Sequence, residues 1–390
     1  MKILLVHNHY QQKGGEDLVF ESETSLLSRH KHQIMKWTKD SQHISEMSRL
    51  CVVTQTLWSS LSKQELVSIL SDSKFDIVHF HNTFPLVSPS SYYACKEFGI
   101  PVVQTLHNYR LLCPSANFFR DGKSCEDCLG KSLLWPSIIH ACYHDSRSHT
   151  AIVTTMLLIH RLLRTWQEKI DIYIALTDFA RRKFSCGGLP EDKIVVKPNF
   201  VYPDPGVGHT KENYVLFMGR LSEEKGISTL LRAWQDLEGI KLKIVGNGPM
   251  KDEVQEYVNR KKLVGVEVLG RRTREEGIAL IQRARLLVFP SECYETFGRV
   301  MIEAFACGVP VIASRLGAME EILEDGRTGL HFNIGEPGDL ASKVEWAWIH
   351  PEAMVEMGSE ARIEYETKYN GERNYQMLID IYNKAKKILF

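Results

Sequence analysis

Two glutamates, Glu295 and Glu303, stand eight residues apart with Phe297, Gly298, Arg299 and Val300 between them. If a helix opens near Gly298, Glu303 falls in its second turn and Glu295 just ahead of it. The pair is then roughly 12 Å apart along the axis and about 80° apart in azimuth. That is too wide for the carboxylate pair of a glycosidase, which needs about 5–9.5 Å. It suits two carboxylates holding hydroxyls at the two ends of one ligand, with the helix start between them offering N–H groups to an anion. The plain alternative is two surface glutamates on an ordinary helix. Upstream, the run Gly219-Arg220-Leu221-Ser222-Glu223-Glu224-Lys225-Gly226 puts a planar guanidinium and a compact ammonium at the two ends of one turn. Such a combination fits a diphosphate, unless Glu223 and Glu224 neutralise both cations. Gly246-Asn247-Gly248-Pro249 reads as a turn opening a helix at Pro249, or simply as a turn.

The first half of the chain offers quieter signals. Lys13-Gly14-Gly15-Glu16-Asp17 follows an apolar run, and a Gly pair there lets backbone approach a ligand at a helix start. Gln104-Thr105-Leu106-His107-Asn108 ends another run, where a histidine can donate to a substrate oxygen. Satisfaction by neighbouring backbone is the alternative for His107. Cys113, Cys125, Cys128 and Cys142 are spaced C-x11-C-x2-C-x13-C in a stretch rich in Pro, Gly and Asp. That spacing suits a closed tetrahedral structural zinc site, four separate thiols, or two disulfides if the compartment is oxidising.

These residues need elements to hold them. Short apolar, β-branched runs at Lys2–Val6, Asp76–Phe80, Pro101–Leu106, Asp171–Leu176 and Lys193–Val196 alternate with helix-length segments. A second series follows at Tyr214–Met218, Lys241–Val245, Val266–Leu269, Leu286–Phe289 and Val309–Ala313. Runs with little alternation suit strands buried on both faces, hence α/β architecture with parallel sheets. The pattern breaks at Pro198–Gly208, where three prolines and two glycines crowd together. The reading is a Rossmann-like domain over residues 1–200, with a Cys-rich insertion at 109–145, and a second over 201–370. A C-terminal helix, 371–390, packs back on the first domain. Ligands in such sheets sit beyond the carboxyl ends of the strands.

Composition closes off several classes. In 390 residues, 48 Lys and Arg balance 48 Asp and Glu, so no global field favours nucleic acid. The opening apolar run of four residues is too short for a signal peptide, and no stretch reaches about 18 apolar residues. The reading is a cytoplasmic chain. The apolar stretch Ala151–Trp166 reads as a core helix in preference to an interfacial one, which leaves room for peripheral contact with the inner face of a membrane.

Taken in order, Gly219-Arg220…Lys225-Gly226, Gly246-Asn247-Gly248-Pro249, Glu295-(seven residues)-Glu303 and the trailing Ala304–Ala313 resemble the retaining GT-B glycosyltransferases of family GT4. The Gly-Gly turn and the Thr105-Leu106-His107 end of a strand resemble the same family. The resemblance implies two Rossmann-like domains facing across a cleft and a nucleotide-diphosphate sugar, UDP-linked in preference to GDP-linked. It assigns Arg220 and Lys225 to the diphosphate, Glu303 to ribose hydroxyls and Glu295 to sugar hydroxyls. Phe297, Gly298, Arg299 and Val300 lie near sugar and phosphate in that scheme. Gly219, Gly246, Asn247 and Arg271 border the nucleotide, Gly15 approaches the phosphates or acceptor, and His107 contacts the sugar. A metal-independent, retaining hexosyl transfer to a saccharide or lipid-linked saccharide in polysaccharide assembly is the implied reaction. The absence of any Asp-x-Asp agrees with it. The alternatives are a nucleotide-sugar 2-epimerase on the same fold and a non-catalytic nucleotide-sugar binding protein.

Overall fold

A computed structural model describes residues 1–11, 14–208 and 210–388. It divides into two compact units. The first comprises Met1–Phe118, Glu126–Asn199 and residues from Asn374 onward; the second comprises Phe119–Cys125 and Phe200–Arg373. Lys13, in the expected glycine turn, lies outside the described residues.

The first unit is built on strands β1 (Lys2–His9), β2 (Gln33–Asp40), β3 (Ile77–Asn82) and β4 (Val102–Thr105). A two-residue hairpin, β5 (Phe119–Arg120) with β6 (Lys123–Ser124), clusters with the second unit. Strands β7 (Ile172–Ala175) and β8 (Ile194–Val196) complete the first sheet, in the order β2-β1-β3-β4-β7-β8. The second sheet uses β9 (Val215–Met218), β10 (Leu242–Val245), β11 (Val266–Gly270), β12 (Leu286–Phe289), β13 (Val311–Ser314) and β14 (Gly329–Phe332). Its order is β11-β10-β9-β12-β13-β14. Both six-stranded sheets are parallel throughout.

Each unit is therefore a parallel-sheet α/β domain of the kind the apolar runs predict. Besides the short hairpin β5–β6, two strands of the large sheets escape the apolar-run criterion for opposite reasons. β2 is an edge strand reading Gln-Ile-Met-Lys-Trp-Thr-Lys-Asp, mostly exposed, so solvent tolerates its charges. β14 is fully buried but contains Gly329 and His331. A Cβ at Gly329 would lie 1.9 Å from the Val311 carbonyl oxygen, so close strand packing requires the glycine. The expectation that Pro249 opens a helix is corrected: the helix is Lys251–Arg260, and Pro249 sits in the preceding turn. Of the helix-length segments between the apolar runs, the one after β9 forms the helix Ile227–Ala233. The segment after β11 forms the helix Arg274–Arg283, started by a Thr273/Glu276 capping box.

Each unit carries its own core. In the second, Val215, Leu242, Leu286 and Ile312 from the strands pack with Leu230, Val254 and Leu340 from the helices. In the first, Ile3, Ile77, Val103 and Ile172 pack with Leu378, Ile381 and Tyr382 of the helix Gly371–Ile388. The apolar middle segment forms the helix Arg147–Leu162, with Val153, Met156 and Leu157 buried.

Strand order fixes where side chains can converge. In the second sheet the chain turns outward in opposite directions from β9, so the turns after β9 and β12 flank the switch point. In the first sheet the same reversal separates β1 from β3. Register shifts between Val6 and His7 and between Ile244 and Val245 occur at the carboxyl ends of β1 and β10, re-aiming the residues that follow.

Candidate functional site

In the second unit, the turns after β9 and β12 are packed backbone against backbone. Glu292 N–H donates to the Glu224 carbonyl at 2.9 Å, and Ser291 Oγ lies 3.2 Å from the same carbonyl. Gly226 makes this approach possible, since a Cβ there would fall 1.8 Å from the Pro290 carbonyl oxygen and its φ is +67°. The consequence is chemical: Lys225 Nζ donates to Glu295 Oε1, and Ser291 Oγ donates to the same carboxylate oxygen at 2.7 Å. Burial opposes the charge on Lys225, but Glu295 outweighs it and raises the ammonium pKa. Glu224, next in sequence to the lysine and a natural competitor for its charge, instead accepts from Ser222 Oγ at 2.7 Å.

The helix Arg299–Ala306 begins where the glycine promised. Gly298 is its N-cap with φ +87°, and Glu303 lies in the second turn, buried. Arg299 Nη2 approaches Glu303 Oε1 at 3.3 Å. Arg299 is nonetheless under-satisfied: its buried Nε and Nη2 have no hydrogen-bond partner. A buried guanidinium with unused N–H groups is costly unless an acceptor arrives, and an anion is the natural one. Next to it the first N–H groups of the helix have no intrahelical acceptor. Phe297 is buried and Val300 half-buried beside this end. Arg220 and Arg271 are exposed. Gly246 packs on β9, where a Cβ would lie 1.8 Å from the Gly219 carbonyl oxygen, and the Asn247 carbonyl accepts from Leu221 N–H at 3.0 Å. Gly219, Gly246 and Asn247 thus knit the turns after β9 and β10 together.

In the first unit the strand ends gather polar side chains that the sequence only partly signals. Gly15 opens the helix Gly15–Arg29, and a Cβ at Gly14 or Gly15 would meet nothing within 4 Å. Asp17 Oδ2 accepts from Gly14 N–H at 2.7 Å, while Asp17 Oδ1 lies 3.0 Å from His7 Nε2 and 2.6 Å from His9 Nδ1. Burial would raise Asp17, but these bonds bring it down to about 2. Glu16 accepts from Asn82 Nδ2 at 3.1 Å and Asn108 Nδ2 at 3.4 Å. Burial first, then the neighbouring Asp17 charge, pushes the Glu16 carboxyl up to about 8. Arg110 lies over the rings of Phe84 and Tyr143 at 4.6 and 5.0 Å, and its buried Nε has no hydrogen-bond partner. His107 follows β4, with Nε2 3.0 Å from His81 Nδ1. A cavity of about 40 Å³ is lined by Asn82, Phe84, His107, Asn108 and Arg110 together with Thr56, Met156 and Trp166. Glu16, Asn82, Asn108 and Arg110 are not among the residues that spacing singles out. Glu16 and Asn108 adjoin positions that are, Gly15 and His107, so strand-end location was the available signal.

Among the described residues, two groups bring three metal-ligating atoms within 4.8 Å of one another: His7/His9/Asp17 and Glu23/His79/His81. In the second, Lys197 Nζ already occupies Glu23 at 2.7 Å, a cation in the place a metal would need. The cysteines 113, 125, 128 and 142 carry thiols and form no such group. Cys125 falls in the short segment that clusters with the second unit, the other three in the first.

Comparison with known proteins places this arrangement. Residues 204–364 match the family described as glycosyl transferases group 1, and residues 40–204 match glycosyltransferase family 4. Both matches are to glycosyltransferase families, and together they span residues 40–364. It is 34% identical over 220 residues to the phosphatidyl-myo-inositol mannosyltransferase of Mycobacterium leprae, covering 52% of this chain and 56% of that protein. It is 32% identical over 173 residues to the D-rhamnosyltransferase WbpZ of Pseudomonas aeruginosa, covering 42% and 45%. The chain spans about half the length of these curated relatives. Among solved structures, Anabaena Alr3699/HepE, determined with UDP, superimposes with a TM-score of 0.70 at 18% identity. That match covers 98% of this chain and 100% of the other, and establishes the GT-B type of fold.

Proposed function

We propose that this chain moves a hexose from a nucleotide-diphosphate sugar, UDP-linked in preference to GDP-linked, to a saccharide or lipid-linked saccharide. The observation that carries this reading is Arg299: a buried guanidinium with unused N–H groups, at a helix N-terminus and beside Glu303. A diphosphate supplies the acceptors Arg299 lacks, and Glu303 is then available to ribose hydroxyls. Lys225, released from Glu295 or shared with it, stabilises the charge that develops on the leaving phosphate. Glu295 turns to sugar hydroxyls. Arg220, exposed at the head of the same turn, adds a second cation. The UDP preference follows the HepE complexes with UDP and UDP-glucose. Retention of anomeric configuration follows the family resemblance, with the leaving phosphate taking the acceptor's proton.

The acceptor belongs to the first unit in this reading, around Glu16, Asn82, Asn108, Arg110 and His107. A lipid-linked acceptor is favoured by the surface nearby. Leu50 and Leu162 are 79% and 75% exposed, and Leu61, Leu133, Trp135 and Ile139 are exposed too. Residues 47–61 and 129–167, which carry them, hold five Lys and Arg and one acidic residue, Asp145, in a chain that is otherwise balanced. Lys131 Nζ lies 5.5 Å over Trp135, and Arg161 ties the Lys131 and Ser132 carbonyls to the end of the helix Arg147–Leu162. Apolar, aromatic and basic residues in this mixture suit an anionic lipid surface. No described helix is long and apolar enough to cross a membrane, so contact would be peripheral.

A thermal-shift screen against UDP, GDP, ADP and their sugar conjugates tests the reading. Ligand at 100 times Kd adds about 2.7 kcal/mol to stability. A shift with uridine compounds is expected; no shift with any nucleoside diphosphate overturns it.

A further inference from the structure

The 40 Å³ cavity of the first unit is walled by residues that follow β3 and β4 and by Met156 and Trp166, from the helices Arg147–Leu162 and Thr165–Glu168. Two of its lining side chains carry a buried N–H without a partner, Arg110 Nε and Trp166 Nε1. Trp166 is only 3% exposed. Both groups can only donate, so neither can satisfy the other. A buried N–H left unmet is costly, and two on one cavity call for an occupant rich in acceptor atoms. The space holds about three water-sized groups, enough for one substituent of a larger molecule.

Charge decides between water and an anion. Water can accept from both N–H groups, but it leaves the Arg110 cation uncompensated. The guanidinium lies over Phe84 and Tyr143, and its Nη1 donates to the Pro114 carbonyl. Two rings and a neutral carbonyl hold the group in place without cancelling its charge. Its ionisable neighbours are Glu16, Tyr10 and Tyr143. Burial keeps both phenols neutral, with Tyr10 pushed up to about 12. Burial, then the Asp17 charge, lifts the Glu16 carboxyl to about 8, so near neutral pH it is mostly protonated. That carboxyl already accepts from Asn82 and Asn108. The cation is left for an anion from outside, and a guanidinium is well matched to an oxyanion.

We propose that this cavity receives an oxyanion, a phosphate or carboxylate substituent of the acceptor, with Arg110 supplying the opposing charge and Trp166 Nε1 a hydrogen bond. That the anion belongs to an acceptor rests on reading the first unit as the acceptor side of a transferase. The site itself stands on Arg110, Trp166 and the cavity between them and the strand ends. A transferase built this way selects an acidic or phosphorylated saccharide over its neutral counterpart, because the neutral one strands the guanidinium again. A phosphate ester and a sugar carboxylate present the same kind of acceptor oxygen, and separate titrations tell them apart.

Proton–nitrogen-15 spectra of the full chain read both N–H groups directly. The Trp166 indole and Arg110 Nε–H signals are assigned by their loss in Trp166→Phe and Arg110→Gln. Inorganic phosphate is titrated in one series and acetate in another. At least one anion is expected to move both signals along a single saturable curve, and the anion that does so names the ligand. In Arg110→Gln the Trp166 signal is expected to need at least about tenfold more anion. In Arg299→Gln, altered in the second unit, both signals are expected to follow the wild-type curve, which separates this site from the diphosphate site. Signals that ignore both anions, or move without saturating, overturn the proposal, as does a Trp166 curve unchanged in Arg110→Gln. If Arg110→Gln does not fold, Trp166→Phe gives the reciprocal reading: the Arg110 signal should need about threefold more anion, and an unchanged curve overturns the proposal. The titration needs no nucleotide, so saturable anion binding in a protein that ignores UDP counts against the transferase reading only. UDP binding with no anion response counts against the oxyanion site only.

Discussion

Glu16 shows how burial beside a like charge shifts the titration of a single side chain in this fold. Its carboxyl is held at about 8 by burial and by Asp17, so the folded state keeps a proton that the unfolded chain releases in the ordinary carboxylate range. Stability attributable to this group is therefore present at acid pH and falls as pH rises toward and past 8. Glu16→Gln removes the titration and keeps one of the two oxygens that accept from Asn82 and Asn108, a loss that is the same at every pH. Its melting temperature should exceed that of the wild type by more at pH 9 than at pH 5, by scanning calorimetry; an equal difference at both would contradict the assignment. At the other site, Lys225→Ala removes the cation from the proposed leaving group. Turnover should drop about 100-fold or more with the fold intact, and near-normal turnover would remove Lys225 from the mechanism.

The turns between elements make a contrasting test. Gly226 is required by its left-handed φ and by the Pro290 carbonyl, so Gly226→Ala should cost about 2 kcal/mol or more in denaturant unfolding. Gly15 is required by neither, and Gly15→Ala at a helix start should leave stability within about 0.5 kcal/mol. If Gly15 is open to admit ligand, the same substitution lowers turnover. Equal activity for Gly15→Ala and wild type would remove that role.

Elements were legible in sequence where burial was symmetrical. The apolar runs ending at His7 and His107 in the first unit, and at Gly219 and Ser291 in the second, mark strands whose carboxyl ends carry each unit's candidate residues, and Gly298 marks the start of the helix that holds Glu303. What stayed hidden has two causes. β2 is exposed and β14 interrupts its run with Gly329 and His331, so neither shows an apolar signature. Glu23, His81 and Lys197 are separated by up to 174 residues and meet only through the sheet, so no local spacing announces them. The Lys225–Glu295 pairing is of the same kind: spacing marks each as a ligand contact, and only the packing of two turns shows that they hold each other in the meantime.

At the scale of the whole molecule, the apolar and basic surface of the first unit predicts selective adsorption. The protein should co-sediment with vesicles containing phosphatidylglycerol and much less with pure phosphatidylcholine, and Trp135→Ser with Lys131→Ser should weaken that binding. Equal binding to both vesicles, or to neither, would contradict a lipid-facing role. Elemental analysis decides between zinc and separate thiols at Cys113, Cys125, Cys128 and Cys142, which form no ligand group in the structure: one zinc per chain, lost in Cys125→Ser with Cys128→Ser, would establish the metal, and a metal-free wild type ends that reading.

The central claim is that the second unit receives a nucleoside diphosphate through Lys225 and Arg299. Isothermal titration of UDP into wild type, Lys225→Ala and Arg299→Gln measures it most directly. Saturable one-to-one binding that weakens at least about tenfold in each variant is the predicted result. Binding that is absent from the wild type, or unchanged in both variants, would contradict it.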